Sequence, residues 1–369
     1  METFKQLGVS DNLVKALEEI KIIKPSEIQQ KVIPYLLKNT TDFIGQAQTG
    51  TGKTIAFSIP LLQRIKTSEN QIQALILSPT RELCQQIAKQ IFKMTRYTDK
   101  VFAEAIYGGE KLDVQIRNLQ RPTQIVVATP GRLIDLLERK ALDLSKVKTI
   151  VLDEADEMLS MGFKDAIDEI ISKIHPSNTK WLFSATMPDS LLRLTDKYMA
   201  ADVYKVSISK TDVVNNLIEH QFFICEQKQK FDYLVQFLAS QGVARGIVFC
   251  RTREDAQMVA KRLKAKDISS DAIHGDLEQR DRDKVMRAFK NKKIQVLVAT
   301  DISARGIDVE NLMYVIHYQL PDQIEYYTHR SGRTARAGKR GISISFITTE
   351  ELKIIREIEK NLKIKFIKI

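Results

Sequence analysis

Residues Ala47–Thr54 read Ala-Gln-Thr-Gly-Thr-Gly-Lys-Thr, between a short apolar run, Asp42–Gly45, and an apolar helical stretch, Ile55–Leu62. A strand, a glycine-rich loop and a helix in that order commit the chain to an α/β arrangement. Backbone N–H groups then converge at a helix N-terminus, which suits phosphate. Gly50 and Gly52 let those groups point inward, and Lys53 reaches terminal phosphates. The Thr54 hydroxyl is a candidate ligand for Mg²⁺. Ala47, Gln48, Thr49 and Thr51 complete the loop; Ala47 stands where the general pattern has Gly.

A phosphate loop of this kind needs an acidic partner. Val151–Leu159 reads VLDEADEML. Asp153 and Glu154 close an apolar strand, where α/β sheets present ligand-facing groups. Asp153 is the second candidate for holding Mg²⁺, and Glu154 the candidate for orienting an attacking water. Taken without the loop, the same residues would read as an acidic helix start.

Apolar runs without polar alternation recur at Ala74–Ser78, Ile125–Ala128, Thr149–Leu152 and Trp181–Ser184, with helical stretches Arg81–Met94 and Arg132–Glu138 between them. The pattern restarts at Gly246–Cys250, Gln295–Ala299, Met313–His317 and Ser343–Phe346, separated by Arg253–Ala265 and Gln279–Phe289. Alternation of this type predicts parallel sheets covered by helices. The expected fold is α/β, with two tandem domains over residues 1–206 and 217–369, joined by a polar linker at 207–216. The two halves share no visible sequence similarity.

Net charge is +11 over 369 residues, and the part from Val206 onward holds 29 Lys+Arg against 21 Asp+Glu. That balance favours an anionic partner. Cys84, Cys225 and Cys250 are widely spaced, which implies neither a zinc site nor a disulfide framework. No leader-like start and no spanning run of ~20 apolar residues is present, so a cytoplasmic, soluble chain is expected.

Asp153-Glu154-Ala155-Asp156 spells the element that names the DEAD-box RNA helicases, and the sequence resembles that family from Phe4 to about Gly341. The resemblance implies two RecA-like domains, an ATP-binding domain first, with an adenine-reading element at residues 4–30, then a second helicase domain. Gln29, in Lys24-Pro25-Ser26-Glu27-Ile28-Gln29, would hydrogen-bond the adenine edge, with Phe4 packed near the base. Ser184 and Thr186 match the SAT element and would bond Asp156, coupling ATP state to RNA together with His329. RNA contacts fall on Pro79, Thr80, Arg81, Gly108, Gly109, Thr129, Gly131 and Arg132. In the second domain they fall on Arg251, Gly275, Gln279, Arg282 and Thr300. Hydroxyls, arginines and glycine backbone suit phosphate and sugar oxygens, so sequence-independent binding is implied. Gly306 and Asp308 would touch nucleotide, and Arg333 and Arg336 would act as arginine fingers on the γ-phosphate.

Five positions depart from the family pattern. Lys21 and Ala335 stand where Gly is usual, Ser26 where Thr is, Gln319 where Asp is, and Ser331 where a branched apolar residue is. The resemblance implies a minimal two-domain core, monomeric, with ATP and Mg²⁺ as cofactors and RNA single strands or short duplexes as partner. Three rivals stay open. An ATP-gated RNA clamp would hydrolyse ATP without strand separation, and a DNA helicase would respond to DNA. A metabolic P-loop kinase would not need the arginine cluster of the second domain.

Overall fold

Runs such as Ala74–Leu77 and Ile125–Ala128 are buried at every position, as strands covered on both faces must be. Fourteen strands result among the described residues, numbered here in chain order. The computed structural model describes residues 2–48, 50–208, 217–301, 312–335 and 339–369. The chain divides into two compact units, Met1–Ser209 and Lys210–Ile369.

In the first unit β1 is Phe43–Gln46, β2 Ala74–Leu77, β3 Ala103–Ile106, β4 Ile125–Ala128, β5 Thr149–Asp153, β6 Thr179–Ser184 and β7 Tyr204–Ser207. All pairings are parallel, in the order β3-β4-β2-β5-β6-β1-β7. Two cores flank the sheet. One holds Phe57, Trp181 and Phe183, and the other Leu77, Leu133 and Met158. Ser207, polar enough to read as linker, is the last residue of β7 and pairs with Gln46. The rest of the expected linker, from residue 209, lies outside the described residues.

In the second unit β8 is Ile218–Ile224, β9 Gly246–Phe249, β10 Ser270–Ile273, β11 Val296–Ala299, β12 Tyr314–His317, β13 Gly341–Ile347 and β14 Phe366–Lys368. Their order is β10-β11-β9-β12-β13-β8-β14. Each label is the first unit's label raised by seven, position for position, so one topology is used twice. Matching strand ends can therefore be compared directly, although the two halves looked unrelated as sequences.

Candidate nucleotide and nucleic-acid sites

The phosphate loop leaves β1 and enters the helix Lys53–Arg64. Gly52 is the residue before that helix, with φ 96, and a Cβ there would collide with the Gln29 amide. Only glycine meets both demands. The ammonium of Lys53 is 6% exposed and donates to the Ala47 carbonyl at 2.7 Å, so its charge is held inside the loop. Thr51 Oγ1 donates to the Gln48 carbonyl at 2.7 Å. Thr54 is half-buried in the first helical turn. Gly50 lies in the loop with φ 82, and Thr49 is outside the described residues.

The expected adenine-reading residues brace this loop from behind. Gln29 Oε1 accepts from the Ser26 N–H at 2.9 Å, and its Nε2 donates to the Gly52 carbonyl at 3.1 Å. The Ser26 hydroxyl donates to the Thr51 carbonyl at 2.7 Å, which gives the retained hydroxyl a structural use. Phe4 is 2% exposed and packs in the core with Leu7 and Val9. Lys21 has φ 62, the left-handed region that the usual Gly would occupy more cheaply.

Asp153 ends β5, next to β6 in the sheet, and β6 pairs with β1. The carboxyl is 2% exposed, and burial pushes its pKa up to about 7 against the pull of Lys53. A buried carboxyl of this kind facing a phosphate loop suits a divalent cation, which would favour its ionised form. Glu154 has φ 51 and ψ 50, left-handed for a non-glycine residue, and its N–H donates to Asp153 Oδ1 at 3.1 Å. Strain of this sort gathers at functional sites. The Thr186 N–H and hydroxyl both donate to Asp156 Oδ2, at 2.9 and 2.7 Å. Ser184 does not share that bond as expected. Its hydroxyl donates to the Thr186 carbonyl at 2.6 Å, shaping the turn that presents Thr186.

The other side of the first sheet carries a different set. Pro79, Thr80 and Arg81 follow β2, Gly108 and Gly109 follow β3, and Thr129, Gly131 and Arg132 follow β4. Those three strands are adjacent. Thr80 caps the helix Arg81–Met94 by accepting from the Leu83 N–H at 3.3 Å. Gly109 has φ 89, and a Cβ on it would strike the Arg81 guanidinium. Arg132 donates to the Glu110 carbonyl at 3.1 Å and to Gln115 Oε1 at 3.0 Å. Gln115, fully buried, also donates to the Tyr107 carbonyl at 2.9 Å. It ties the glycine turn to Arg132, and no local pattern marked it.

The second unit repeats this set on its equivalent strands. Thr252-Arg253-Glu254 follows β9 as Thr80-Arg81-Glu82 follows β2, and Thr252 caps its helix by accepting from Asp255 N–H at 3.0 Å. Ala272-Ile273-His274-Gly275 ends β10 as Ala105-Ile106-Tyr107-Gly108 ends β3. Arg253 pairs with Asp276 in that turn, as Arg81 lies over Gly109. The equivalence makes Arg253 the counterpart of Arg81, and places Arg251, an expected RNA contact, at the position of Pro79. Thr300 follows β11 as Thr129 follows β4. Gln279 and Arg282 lie in the first turn of the helix Gln279–Lys290. Gly306, Asp308 and Arg336 fall outside the described residues.

The phosphate loop is not repeated. Lys230 opens the helix after β8 as Lys53 opens the helix after β1. It is 1% exposed and pairs with Glu351 at 3.2 Å. Glu351 also accepts from the Thr348 N–H at 2.8 Å, so the counter-charge of Lys230 is a carboxylate of the chain itself.

His329 and Arg333 sit on and just after the helix Ile324–Ser331, half-buried and 7% exposed respectively. Arg330, unmarked by the sequence, anchors this segment. It is 2% exposed and grips Asp301 through two bonds of 2.6 and 2.7 Å, with a third to the Gln319 carbonyl at 2.8 Å. The Gln319 side chain accepts from the Arg251 N–H at 2.6 Å and donates to Asp255 Oδ2 at 2.9 Å. An aspartate there could not donate. Ser331 enters a buried polar chain with Ser343, His317, Tyr327 and His220. Ala335 has φ 54, so the usual Gly has been replaced at a left-handed position.

The described cysteines are free and buried, and no described helix is long and apolar enough to cross a membrane. The DEAD/DEAH box helicase family model matches residues 26–194, and the helicase conserved C-terminal domain matches residues 229–338. The ATP-dependent RNA helicase CshA of Listeria monocytogenes is 41% identical over 363 residues, covering 98% of this chain and 69% of that protein. The structure of Saccharomyces cerevisiae Dbp5 bound to RNA and ADP BeF3 aligns with a TM-score of 0.92 at 31% identity, covering 100% of this chain and 96% of that one. A DEAD box protein of Methanococcus jannaschii aligns with a TM-score of 0.57 at 41% identity, covering 100% and 99%. With Asp153–Asp156 spelling the name on a twice-used parallel sheet, the chain belongs to the DEAD-box branch of the DEAD/DEAH box helicases.

Proposed function

We propose that the chain is an ATP-dependent RNA helicase in which one ATP and one stretch of RNA backbone are each held by residues of both units. The supporting observation is the division of strand ends in the first sheet. The ends of β1, β5 and β6 carry the phosphate loop, the acidic pair and Thr186, while the ends of β2, β3 and β4 carry the residues expected to contact RNA backbone. The second set recurs in the second unit; the first does not.

Lys53 and the loop N–H groups bind the β- and γ-phosphates, and Gln29 and Phe4 place the adenine end. Thr54 and Asp153 would hold Mg²⁺, which supplies charge neutralisation between the phosphates. Glu154 orients the attacking water and takes its proton as the bond from γ-phosphorus to ADP breaks. Arg333 and Arg336 stabilise charge on the transferring group. Because ATP and RNA each need both units, binding of one favours closure on the other. Closure bends one RNA strand and displaces its partner from a short duplex, and phosphate release reopens the units. Contacts limited to the backbone make binding indifferent to sequence and sensitive to salt. A 2′-OH contact gives preference for RNA.

Steady-state ATPase is measured with and without single-stranded RNA, beside single-stranded DNA and a Glu154→Gln variant. Stimulation by RNA alone, lost in the variant, is expected. Equal stimulation by DNA, or indifference to both, would overturn the reading.

A further inference from the structure

Seven basic and two acidic residues between Gln279 and Lys293 account for most of the positive excess of the second part of the chain. The motif residues use only Gln279 and Arg282 of this segment. We infer that the outer face of the helix Gln279–Lys290, with the turn after it, is a further binding site for RNA phosphates. It would extend the backbone track beyond the motif contacts. The inference rests on the RNA-helicase reading above.

Met286 and Phe289 bury one side of this helix against Ile273 and Leu297. At 100° per residue, Arg280, Lys284 and Arg287 project from the opposite side within one narrow arc. All three are exposed, as are Lys290, Lys292 and Lys293. Arg280, Arg287, Lys290, Lys292 and Lys293 make no ion pair among the described residues.

The two acids do not neutralise the stripe. Asp283 is held by Gln279 at 2.8 Å, and Asp281 by Lys284 at 3.0 Å. An ordinary solvated helix face alternates charge and pairs it across a turn; this one leaves five cations without counter-charge.

Position supplies the second argument. The helix begins at the carboxyl end of β10, beside Gly275, and runs back towards the amino end of β11. Gln279 and Arg282 in its first turn are expected RNA contacts on an adjoining side of the helix, and Arg280, next to Gln279 and about 100° round from it, starts the stripe, so an RNA strand leaving those contacts reaches it by turning round the helix start. The far end is fixed rather than frayed. Lys292 N–H donates to the Phe289 carbonyl, Lys293 N–H to the Ala288 carbonyl at 2.9 Å, and the Lys293 carbonyl accepts from Ser269 Oγ at 2.8 Å. Lys292 has φ 60, the left-handed conformation that ends the helix. A regular row of unpaired cations beside a backbone track suits a polyanion whose charges also repeat, and RNA is the polyanion this track already handles.

The test uses the full chain with Arg280, Arg287, Lys290 and Lys293 all changed to Gln. Gln279 and Arg282 are untouched. Half-saturation of RNA-stimulated ATPase is measured with a short oligoribonucleotide that covers only the motif contacts and with a longer one that also reaches the stripe. Wild type should bind the longer RNA more tightly. The variant should keep its affinity for the short RNA and its maximal rate, yet lose about tenfold for the longer one. Its salt dependence should be shallower by roughly two to three counterions, at ~0.7 per single-strand phosphate. A variant with Arg280→Lys and Arg287→Lys, which keeps the charges, should behave as wild type. Equal affinity of both proteins for the longer RNA, with equal salt slopes, would overturn the inference and leave the stripe to an acidic polypeptide or to solvent. If RNA fails to stimulate wild type at all, the helicase reading falls first and the stripe with it.

Discussion

Gln319 shows what a single departure from a family pattern can mean. Its amide accepts from the Arg251 N–H and donates to Asp255, joining the loop after β12 to the turn after β9. Gln319→Asp would turn a carboxylate towards that of Asp255 and lose the donor. The expected cost is about 1–3 kcal/mol, with weaker RNA half-saturation because the turn that carries Arg251 loses its tie to the loop after β12. Adding Asp255→Asn should restore both, and no restoration would mean that the pair is incidental. Ala335 gives the opposite case. A non-glycine residue in the left-handed region costs about 1–2 kcal/mol, partly offset by a less flexible unfolded chain. Ala335→Gly should therefore stabilise the second unit by roughly 0.5–1 kcal/mol, read from denaturant unfolding; a loss of stability would contradict the strain.

At the scale of elements, the central strands were legible because runs such as Val126-Val127-Ala128 are buried on both faces and carry no polar alternation. The edge strands were not. Tyr204–Ser207 buries only Val206, and Ser270–Ile273 contains Ser and Asp, so neither shows a period or a run. Local motifs around the loop and the acidic pair were equally legible. Gln115, Arg330 and Lys230 were silent, because their partners lie far along the chain or their meaning appears only when the two sheets are aligned.

The helix Ile324–Ser331 shows what such silent contacts do. Burial pushes the His220 pKa down to about 4, and burial beside Arg330 lowers His317 well below its usual range. Both are therefore neutral at pH 7. For a histidine with a depressed folded pKa, the unfolded chain binds more protons between the two values, so stability falls as pH drops below about 6.5. Between pH 6.5 and 4, His220 alone should cost the second unit on the order of 3 kcal/mol. His220→Gln should flatten that dependence in thermal unfolding. An unchanged slope would place the acid sensitivity elsewhere.

At the scale of the whole molecule, one topology serves two purposes because one loop differs. The first unit offers Lys53 and a glycine-rich loop to a phosphate, while the second satisfies Lys230 with Glu351. A stoichiometry of one nucleotide per chain follows, measurable by titration with a fluorescent ATP analogue; two equivalent sites would contradict the assignment. The central claim is that ATP and RNA are coupled through two units that each ligand needs. Its most direct test is equilibrium RNA binding by the Glu154→Gln variant with ATP and with ADP, together with nucleotide binding with and without RNA. The account predicts that ATP, and not ADP, tightens RNA, and that RNA tightens ATP by the same factor, as linkage requires. RNA affinity indifferent to the nucleotide would contradict it.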